Sequence, residues 1–173
     1  MKTKTVASMA MMIAVIIVLG FIPPIPLGII PVPIILQNMG IMLAGALLGA
    51  KRGFLAVLIF LFLAALGLPV LSGGHGNIAV FMGPSAGYLF AYPFAAGLIG
   101  FVTEKTGNRR FVVDYLLIWL IGVLFIDSLG ALGLSIQSHM PLDKAFWANL
   151  VFIPGDSLKV LMVTLLYRRF KTA

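Results

Sequence analysis

Six long apolar runs limit what this chain can fold into more than any other feature, and short segments rich in basic residues, proline or glycine separate them. Hydrophobic residues make up 61% of the 173 residues and charged residues only 10%, whereas a soluble domain has roughly 25% charged residues. So few charges cannot cover a surface that faces water. Long apolar stretches of this kind are typical of helices that cross a lipid bilayer.

The apolar runs predict an all-α integral membrane protein with six transmembrane helices in a single domain over residues 1–173. The first run follows MKTK and resembles a signal peptide, but no small-residue cleavage site precedes the prolines, so we interpret it as a retained helix. Several runs are shorter than the roughly 20 residues that span the hydrocarbon. The predicted helices cover about residues 5–22, 34–50, 53–66, 84–103, 111–132 and 156–169, with a short amphipathic segment at 143–152.

The basic residues predict the orientation in the membrane. Two of the twelve lysines and arginines are Lys144 and Lys159. The other ten lie at the termini or after the second and fourth runs: Lys2, Lys4, Lys51, Arg52, Lys105, Arg109, Arg110, Arg168, Arg169 and Lys171. By the positive-inside rule, both termini are cytoplasmic and the long Pro/Gly-rich loops after helices 1, 3 and 5 face outward. Because these residues lie between apolar runs, the net charge of +7 does not indicate a nucleic-acid partner.

Two opposite charges stand near the start of the last run, in FIPGDSLKVL. Asp156 and Lys159 are three residues apart, so a helix brings them to one face. Pro154 and Gly155 are expected to break the preceding segment and leave Asp156 as the helix cap. Ionisable groups at membrane depth are costly and usually face a cavity or a partner. The pair is therefore a cap with an ion pair, a ligand site for a neutral polar group, or a proton or ion relay.

Polar residues on the same outer side are further candidates for a binding site. In SGGHGN, glycines let backbone approach a ligand closely, and the amide of Asn77 offers a donor and an acceptor. A flexible turn with a solvated His75 is the alternative interpretation. Gln37 and Asn38 start the second run, and their amides need partners in the proline-rich loop or in a ligand.

Aromatic residues allow two interpretations. Tyr88 and Tyr92 lie one helical turn apart near the start of the fourth run, where Pro84 is expected in the first turn. They form either an interfacial aromatic belt or a pocket wall that grips an apolar group. Phe146 and Trp147 leave the same choice open.

Two aspartates and several small residues complete the candidates. Asp127, late in the fifth run, is expected to pair with Lys159 or loop backbone or to reach the interface. Asp114 lies near Arg109 and Arg110, and we interpret it as a surface charge. Small residues at helical spacing let membrane helices approach closely: Ala7, Ala10 and Ala14 in the first run, and Gly45 and Gly49 in the second.

Several function classes lack parts in this sequence. No G-x-x-x-x-G-K-[ST] motif is present, so the chain does not bind ATP through a P-loop. There is no G-x-S-x-G or H-E-x-x-H motif, no cysteine, and only two histidines and five acidic residues. We therefore expect no enzyme, no metal and no cofactor. An intramembrane enzyme for lipid or prenyl substrates lacks a nucleophile–base pair, whereas a secondary transporter or channel with a relay through Asp156, Lys159 and Asp127 stays open.

The motifs together resemble one family. In chain order they are P-x-P-x-x-L-Q (Pro31 to Gln37), GALLGAKRG, GLPVLSGGHGN, GPSAGY and IPGDSLK. This order is similar to that of the BioY family, the biotin-binding S components of energy-coupling-factor vitamin transporters. The resemblance covers about residues 5–169.

The resemblance implies a six-helix bundle in a prokaryotic cell membrane, with a vitamin pocket near its outer end that the long loops close. It implies biotin as the transported ligand, and a transmembrane coupling protein and two cytoplasmic ATPases as partners. Ala10 and Ala14 occupy the A-x-x-x-A surface that S components present to the coupling protein. Some family members occur without a dedicated energising module. A stand-alone secondary transporter or channel for a vitamin-like solute is the alternative.

The resemblance also implies site residues. Asp156, Lys159 and Asn77 match positions that hold the ureido ring of the vitamin, and Gln37 and Tyr88 match pocket-lining positions. A lysine can donate to the ureido carbonyl, and a carboxylate can accept from a ureido N–H.

The chain departs from the family pattern at two positions. Ser85 and Ile35 stand where the family commonly has threonine. Serine keeps the hydroxyl, but isoleucine loses it, which puts a polar role at position 35 in doubt.

Overall fold

The computed structural model describes residues 3–28, 30–105 and 110–172. Within these ranges the regular structure is helical, apart from two isolated β-bridges, Ile25–Ile34 and Leu71–His75. The α-helices are α1 (Thr3–Gly20), α2 (Gln37–Leu48), α3 (Ala50–Ala65), α4 (Ala86–Lys105), α5 (Phe111–Trp119), α6 (Ile126–Ser138), α7 (Leu142–Asn149) and α8 (Ile153–Thr172). The predicted all-α fold is confirmed.

Several helices have the length and composition of membrane spans. Among the described residues, Thr3–Gly20, Ala86–Lys105 and Phe111–Ser138 are long and apolar enough to cross a membrane. The pair Leu142–Asn149 and Ile153–Lys171, bent by 52°, is a fourth span if it is counted as one. α2 is apolar but shorter. The chain is thus a protein with several apolar helices, and the count of six spans stays a prediction.

The second and third helices form a tight hairpin. α2 begins at Gln37 and not near residue 34, because Pro31 and Pro33 keep the preceding backbone out of the helix. It ends at Leu48, and the capping residue Gly49 has a φ of 82°, a conformation that glycine adopts readily. A Cβ at Gly49 would also collide with the carboxyl group of Glu104. α3 therefore starts directly at Ala50.

α4 occupies the centre of the bundle and packs against α2, α3 and α6. Its close contacts need small residues. A Cβ at Gly45 of α2 would collide with the carbonyl of Ala96, and one at Gly87 of α4 would collide with the carbonyl of Leu129. The prediction that Gly45 seats α2 against a neighbour is confirmed. Pro84 lies just before α4, which begins at Ala86, and so is not in its first turn.

The fifth predicted helix is longer than the sequence indicated. α5, a π-helical segment (Leu120–Phe125) and α6 follow one another without a gap, and the helix ends at Ser138 and not near residue 132. His139 adopts a left-handed conformation with φ 50°, and its N–H bonds the carbonyl of Ser135. Pro141 follows. The glycines at 130 and 133 do not end the helix because they pack against α4.

The start of α8 corrects the prediction that Pro154 and Gly155 break the chain before Asp156. The helix begins at Ile153, so Pro154 and Gly155 lie in its first turn and do not separate it from Asp156. A proline is tolerated there because the first N–H groups of a helix have no intrahelical acceptor. The N–H of Asp156 donates to the carbonyl of Phe152 at 2.9 Å. Asp156 is thus a residue of the first turn and not its cap.

The prediction that Asp114 is a surface charge is wrong, because the residue is buried. It is 7% exposed, and its Oδ2 lies 2.7 Å from Nη1 of Arg168. This ion pair joins α5 to α8. The burial follows because α5 packs on α8 at this level. Of the basic residues used to assign orientation, Lys2 and Arg109 lie outside the described residues.

Two long loops meet beside the polar ends of α2 and α8. We call residues 21–36 the proline-rich loop and residues 66–85 the glycine-rich loop. The N–H of Gly73 donates to the carbonyl of Gly20 at 3.3 Å. The glycine-rich loop contains a short 3₁₀ helix, Ile78–Met82. The candidate site lies under these loops.

Candidate functional site

A cavity of about 360 Å³ lies where the two loops meet α2, α4, α6 and α8. Small-molecule sites in proteins typically measure roughly 300–1,000 Å³. Its walls are largely apolar and aromatic and include Val32, Ile34, Leu71, Val80, Leu89 and Phe152. Its polar side chains include Gln37, Asn38, Tyr88, Asp127, Asp156 and Lys159. The structure therefore brings Asp156, Lys159, Gln37 and Tyr88 of the predicted site to one cavity.

The first polar group of the cavity joins α8 to α2. Nζ of Lys159 lies 2.6 Å from Oδ1 of Asp156 and 3.0 Å from Oδ1 of Asn38. Nδ2 of Asn38 donates to the same Asp156 oxygen at 3.2 Å. All three residues are at most 7% exposed. We call Asp156, Lys159 and Asn38 the deep cluster.

Lys159 also bonds the proline-rich loop. Its Nζ donates to the backbone carbonyl of Ile35 at 2.5 Å. The position that lacks the family's hydroxyl thus has a polar role after all, through its main chain. With Asp156 and Asn38, this carbonyl supplies an acceptor for each of the three ammonium donors. A ligand carbonyl that bonds Lys159 has to share or replace one of these acceptors.

Asp156 bonds the protein through one of its two carboxyl oxygens. Both of its side-chain hydrogen bonds within the described part of the chain involve Oδ1. The other oxygen, Oδ2, makes no such bond and is not completely buried. Asp156 lines the cavity. The carboxyl group is therefore fixed by one oxygen and offers the other as an acceptor. The cap-and-ion-pair interpretation accounts for the bonds of Oδ1 but not for the adjoining cavity.

Gln37 holds the cavity wall together. Its Nε2 donates to the carbonyls of Ile16 at 3.1 Å and Val70 at 2.7 Å. Its Oε1 accepts from the N–H of Ser72 at 3.0 Å. The amide thus ties α1 to the glycine-rich loop, and not to the proline-rich loop considered above. Both side-chain donors and the acceptor are already bonded to protein.

A second polar group lies between α4, α6 and α7. The hydroxyl of Tyr88 donates to Oδ1 of Asn149 at 2.7 Å, and Nδ2 of Asn149 donates to the backbone carbonyl of Asp127 at 2.7 Å. Gly130 leaves the space that the Tyr88 ring fills. We call Tyr88, Asn149 and Asp127 the outer group.

Asp127 makes no ion pair or hydrogen bond with Lys159 in the described part of the chain. It is 8% exposed and lines the cavity. Its Oδ2 is buried and has no hydrogen-bond partner among the described residues. A buried acceptor without a partner is costly. Oγ of Ser72, another residue of the cavity wall, is also buried without a partner among the described residues.

Asn77 is the one predicted site residue that does not line the cavity. Its side chain is exposed, and its Oδ1 accepts from the N–H of Val80 at 3.3 Å as the cap of the 3₁₀ helix. Its neighbour His75 is exposed but lines the cavity. A role of Asn77 in ligand binding stays a prediction.

The aromatic residues divide between the two interpretations. Tyr88 and Tyr92 are buried and line the cavity, so they are pocket walls and not an interfacial belt. Phe146 and Trp147 are 41% and 73% exposed and are not lining residues. Phe152, which was not predicted, packs edge-on against Tyr88 with ring centroids 6.2 Å apart.

The small face of α1 is exposed in the part of the chain that the structure describes. Ala10 and Ala14 are exposed, while Met9, Met12 and Ile16 of the same helix are buried. Partner binding through these alanines stays a prediction.

Sequence reasoning did not foresee the contacts of three polar groups. Asn38 was considered only for its buried amide, Asp127 was expected to pair with Lys159 or loop backbone or to reach the interface, and Asn149 was not considered. An asparagine in an otherwise apolar segment was the available signal for Asn149. Within the described residues, no group of three or more His, Cys, Asp or Glu is placed to hold a metal ion.

Comparisons with known proteins agree on one family. The model of the BioY family matches residues 1–173. The chain is 50% identical over 173 residues to "Biotin transporter BioY" of Lactococcus lactis subsp. cremoris, covering 98% of this chain and 92% of that protein. It is 41% identical over 174 residues to "Biotin transporter BioY" of Rhizobium etli, covering 97% and 93%.

A solved structure has the same fold. The crystal structure of an S-component for biotin from an ECF-type ABC transporter superposes with a TM-score of 0.97 at 50% sequence identity. The match covers 99% of this chain and 93% of that one. The resemblance drawn from the motifs is confirmed, and the chain belongs to the BioY family.

Proposed function

We propose that this chain is the biotin-binding S component of an ATP-driven importer of the energy-coupling-factor type. It captures biotin outside the cell and delivers it inward without covalent chemistry. The observation that carries the proposal is the deep cluster, which lines a largely apolar cavity in a member of the BioY family. The names of the relatives at 50% and 41% identity support biotin as the ligand.

The chemistry of the cavity suits the two parts of biotin. The ureido ring has N–H donors and one carbonyl acceptor. Oδ2 of Asp156 accepts from an N–H, and Lys159 shares its ammonium donors between the ureido carbonyl and the protein acceptors. The thiophane ring and aliphatic chain pack against apolar and aromatic walls such as Tyr92 and Phe152. Charge-assisted hydrogen bonds in a water-poor site are the strong kind.

Asn77 joins this site if the glycine-rich loop moves inward. Gly73 and Gly74 just before it have φ values of 80° and 74°, and the loop is partly exposed. Glycines of this kind allow the backbone to change direction at low steric cost. The amide of Asn77 then bonds the ureido ring that the deep cluster holds from the other side.

In the membrane, we propose six helices with both termini in the cytoplasm of a prokaryotic cell. Lys51 and Arg52 lie at the α2–α3 hairpin and Arg168 and Arg169 near the end of α8. By the positive-inside rule, these positions support a cytoplasmic location of these ends. α2 and α3 have 12 and 16 residues, so they do not cross the full thickness. The two long loops occupy the remaining outer part around the cavity.

The partners follow from the S-component role. A transmembrane coupling protein and two cytoplasmic ATPases supply the energy that this chain, without a P-loop, cannot supply. The exposed Ala10 and Ala14 on α1 form the surface that the coupling protein contacts. Small side chains there allow two membrane helices to pack closely.

Equilibrium binding tests the proposal. Radiolabelled biotin is titrated onto the purified chain in detergent, with unlabelled biotin, thiamine and riboflavin as competitors. We expect saturable binding that unlabelled biotin displaces and the other two vitamins do not. A folded preparation that shows no saturable binding, or that releases biotin to thiamine or riboflavin, would contradict the proposal.

A further inference from the structure

The cavity opens towards the surface at the two long loops. Its lining residues on α2, α4, α6 and α8 are all buried, whereas two lining residues on the loops, Pro31 and His75, are exposed. The deep cluster belongs to the buried, helical side. We call the exposed side, lined by Pro31 and His75, the mouth. The cavity thus runs from a buried polar cluster to a mouth that carries a histidine.

The backbone of His75 is fixed at the mouth, while its side chain is left without a partner. Its carbonyl accepts from the N–H of Leu71 at 2.9 Å, which closes the turn between them. The imidazole lies close to the proline-rich loop, because a Cβ built on Gly73 would lie 3.3 Å from Nε2 of His75 and 3.5 Å from Cγ of Pro24. Within the described ranges, neither imidazole nitrogen takes part in a hydrogen bond or ion pair.

His75 is also the ionisable side chain that the loops bring to the mouth. Residues 21–36 contain no ionisable side chain, and residues 66–85 contain none besides His75. The other ionisable residues of the cavity lining are on the helices: Tyr88, Tyr92, Asp127, Asp156 and Lys159. Lys159 already has an acceptor for each of its donors. An anionic group at the mouth therefore meets an unengaged basic group and no acidic residue of either loop.

We infer that His75 binds an anionic group at the end of the ligand and so selects ligands that carry a carboxylate. The inference rests on the proposed function and deepens it, because biotin has a neutral ureido ring at one end and a carboxylate at the other. Burying a carboxylate is costly, so the ring enters the buried side and the carboxylate stays at the mouth. The imidazole donates one hydrogen bond when neutral and becomes a cation with two donors when protonated.

Affinities for biotin and its carboxamide, biotinamide, measure this selection. Both dissociation constants are determined by equilibrium binding in detergent at about pH 5.5 and about pH 8, because histidine changes its charge between about pH 5 and 8, whereas a carboxyl group stays largely ionised there. The protonated imidazole attracts the carboxylate. We therefore expect the preference of the native chain for biotin over biotinamide to be about fivefold greater at the lower pH, the size of an exposed ion pair.

Two substitutions remove the imidazole without removing a described hydrogen bond of the protein. We expect His75→Gln and His75→Ala to bind biotinamide as the native chain does and to lose the pH dependence of the preference. His139→Gln is the matched control, since His139 is the other histidine of the chain, is exposed and does not line the cavity. The control should keep the native pH profile.

The outcomes separate this inference from the proposed function. A preference that does not change with pH in the native chain would overturn the inference. So would a pH dependence that persists undiminished in both His75 variants, because it would then belong to the ionisable residues on the helices. Biotin binding stays intact in either case. A native chain that binds neither compound would instead overturn the proposed function.

Discussion

Lys159 is the residue on which the polar end of the cavity depends most. Its ammonium group contacts acceptors from α8, α2 and the proline-rich loop, and the residue is 7% exposed. A buried charge is tolerated only when its partners satisfy it. The cluster thus positions Asp156 and joins three elements at once.

Replacing this lysine is expected to destabilise the fold. Lys159→Met leaves the carboxyl group of Asp156 buried without its cation, which costs about 3–5 kcal/mol. Thermal unfolding of the purified variant in detergent measures the loss as a lower Tm. Lys144→Met, at an exposed position on α7, is the control and should leave the Tm unchanged. A variant as stable as the native chain would contradict the described network.

The outer group allows a finer test with a single hydroxyl. Tyr88→Phe keeps the ring that lines the cavity but leaves Oδ1 of Asn149 without its donor, a cost of about 1–3 kcal/mol. Tyr115→Phe is the matched control because its hydroxyl makes only a 3.4 Å contact with the carbonyl of Ser157. We expect the Tm to fall for the first variant and to change little for the second. Equal effects would argue against the Tyr88–Asn149 bond.

At the scale of elements, close backbone contacts around α4 hold the bundle together. Gly45 of α2 lies against the carbonyl of Ala96, and Gly87 of α4 lies against Gly133 of α6. Lipid is as apolar as leucine, so helix association depends on this kind of packing and not on the hydrophobic effect. A backbone atom cannot move away from an added methyl group as easily as a flexible side chain can.

A pair of alanine substitutions separates close packing from glycine content. Gly45→Ala forces its Cβ onto the Ala96 carbonyl, whereas a Cβ at Gly97 would lie 3.5 Å from Cδ2 of Phe54, an ordinary contact. We expect the first variant to lose at least about 1 kcal/mol of stability. The second should be neutral or slightly stabilising because alanine favours helix. If both variants unfold at the same temperature, the tight α2–α4 contact is wrong.

Sequence patterns predicted the elements better than their ends and their partners. Hydropathy located the apolar helices, and the i, i+3 spacing of Asp156 and Lys159 placed both on one face. Pro154 and Gly155 were misread because a helix start tolerates both residues. The Ile35 carbonyl could not be foreseen, since a main-chain acceptor leaves no mark in side-chain chemistry. The Asn149–Asp127 contact depends on how α7 packs against α6, which no local pattern encodes.

At the scale of the whole molecule, the cavity and the small face of α1 are separate surfaces. Ala10 and Ala14 do not line the cavity, and the buried face of α1 points the other way. Ligand capture and assembly with the energising subunits should therefore be separable by mutation.

Bulky substitutions on α1 test this separation. The double substitution Ala10→Trp and Ala14→Trp is expected to abolish ATP-dependent biotin uptake and co-purification with the coupling protein, because the helices can no longer approach closely. Biotin binding to the isolated chain should stay within about twofold of native. Met162→Trp, on the exposed face of α8, should affect neither. Native-like uptake by the double variant, or uptake that needs only a proton gradient, would contradict the S-component role.

The most direct test of the site is the affinity of the folded Asp156→Asn variant for biotin. The amide can still accept from Lys159, but it loses the charged oxygen that faces the cavity. We predict that the dissociation constant rises about a hundredfold or more, with Asp114→Asn unchanged as the control. Biotin bound by the folded Asp156→Asn chain within about twofold of the native affinity would contradict the account.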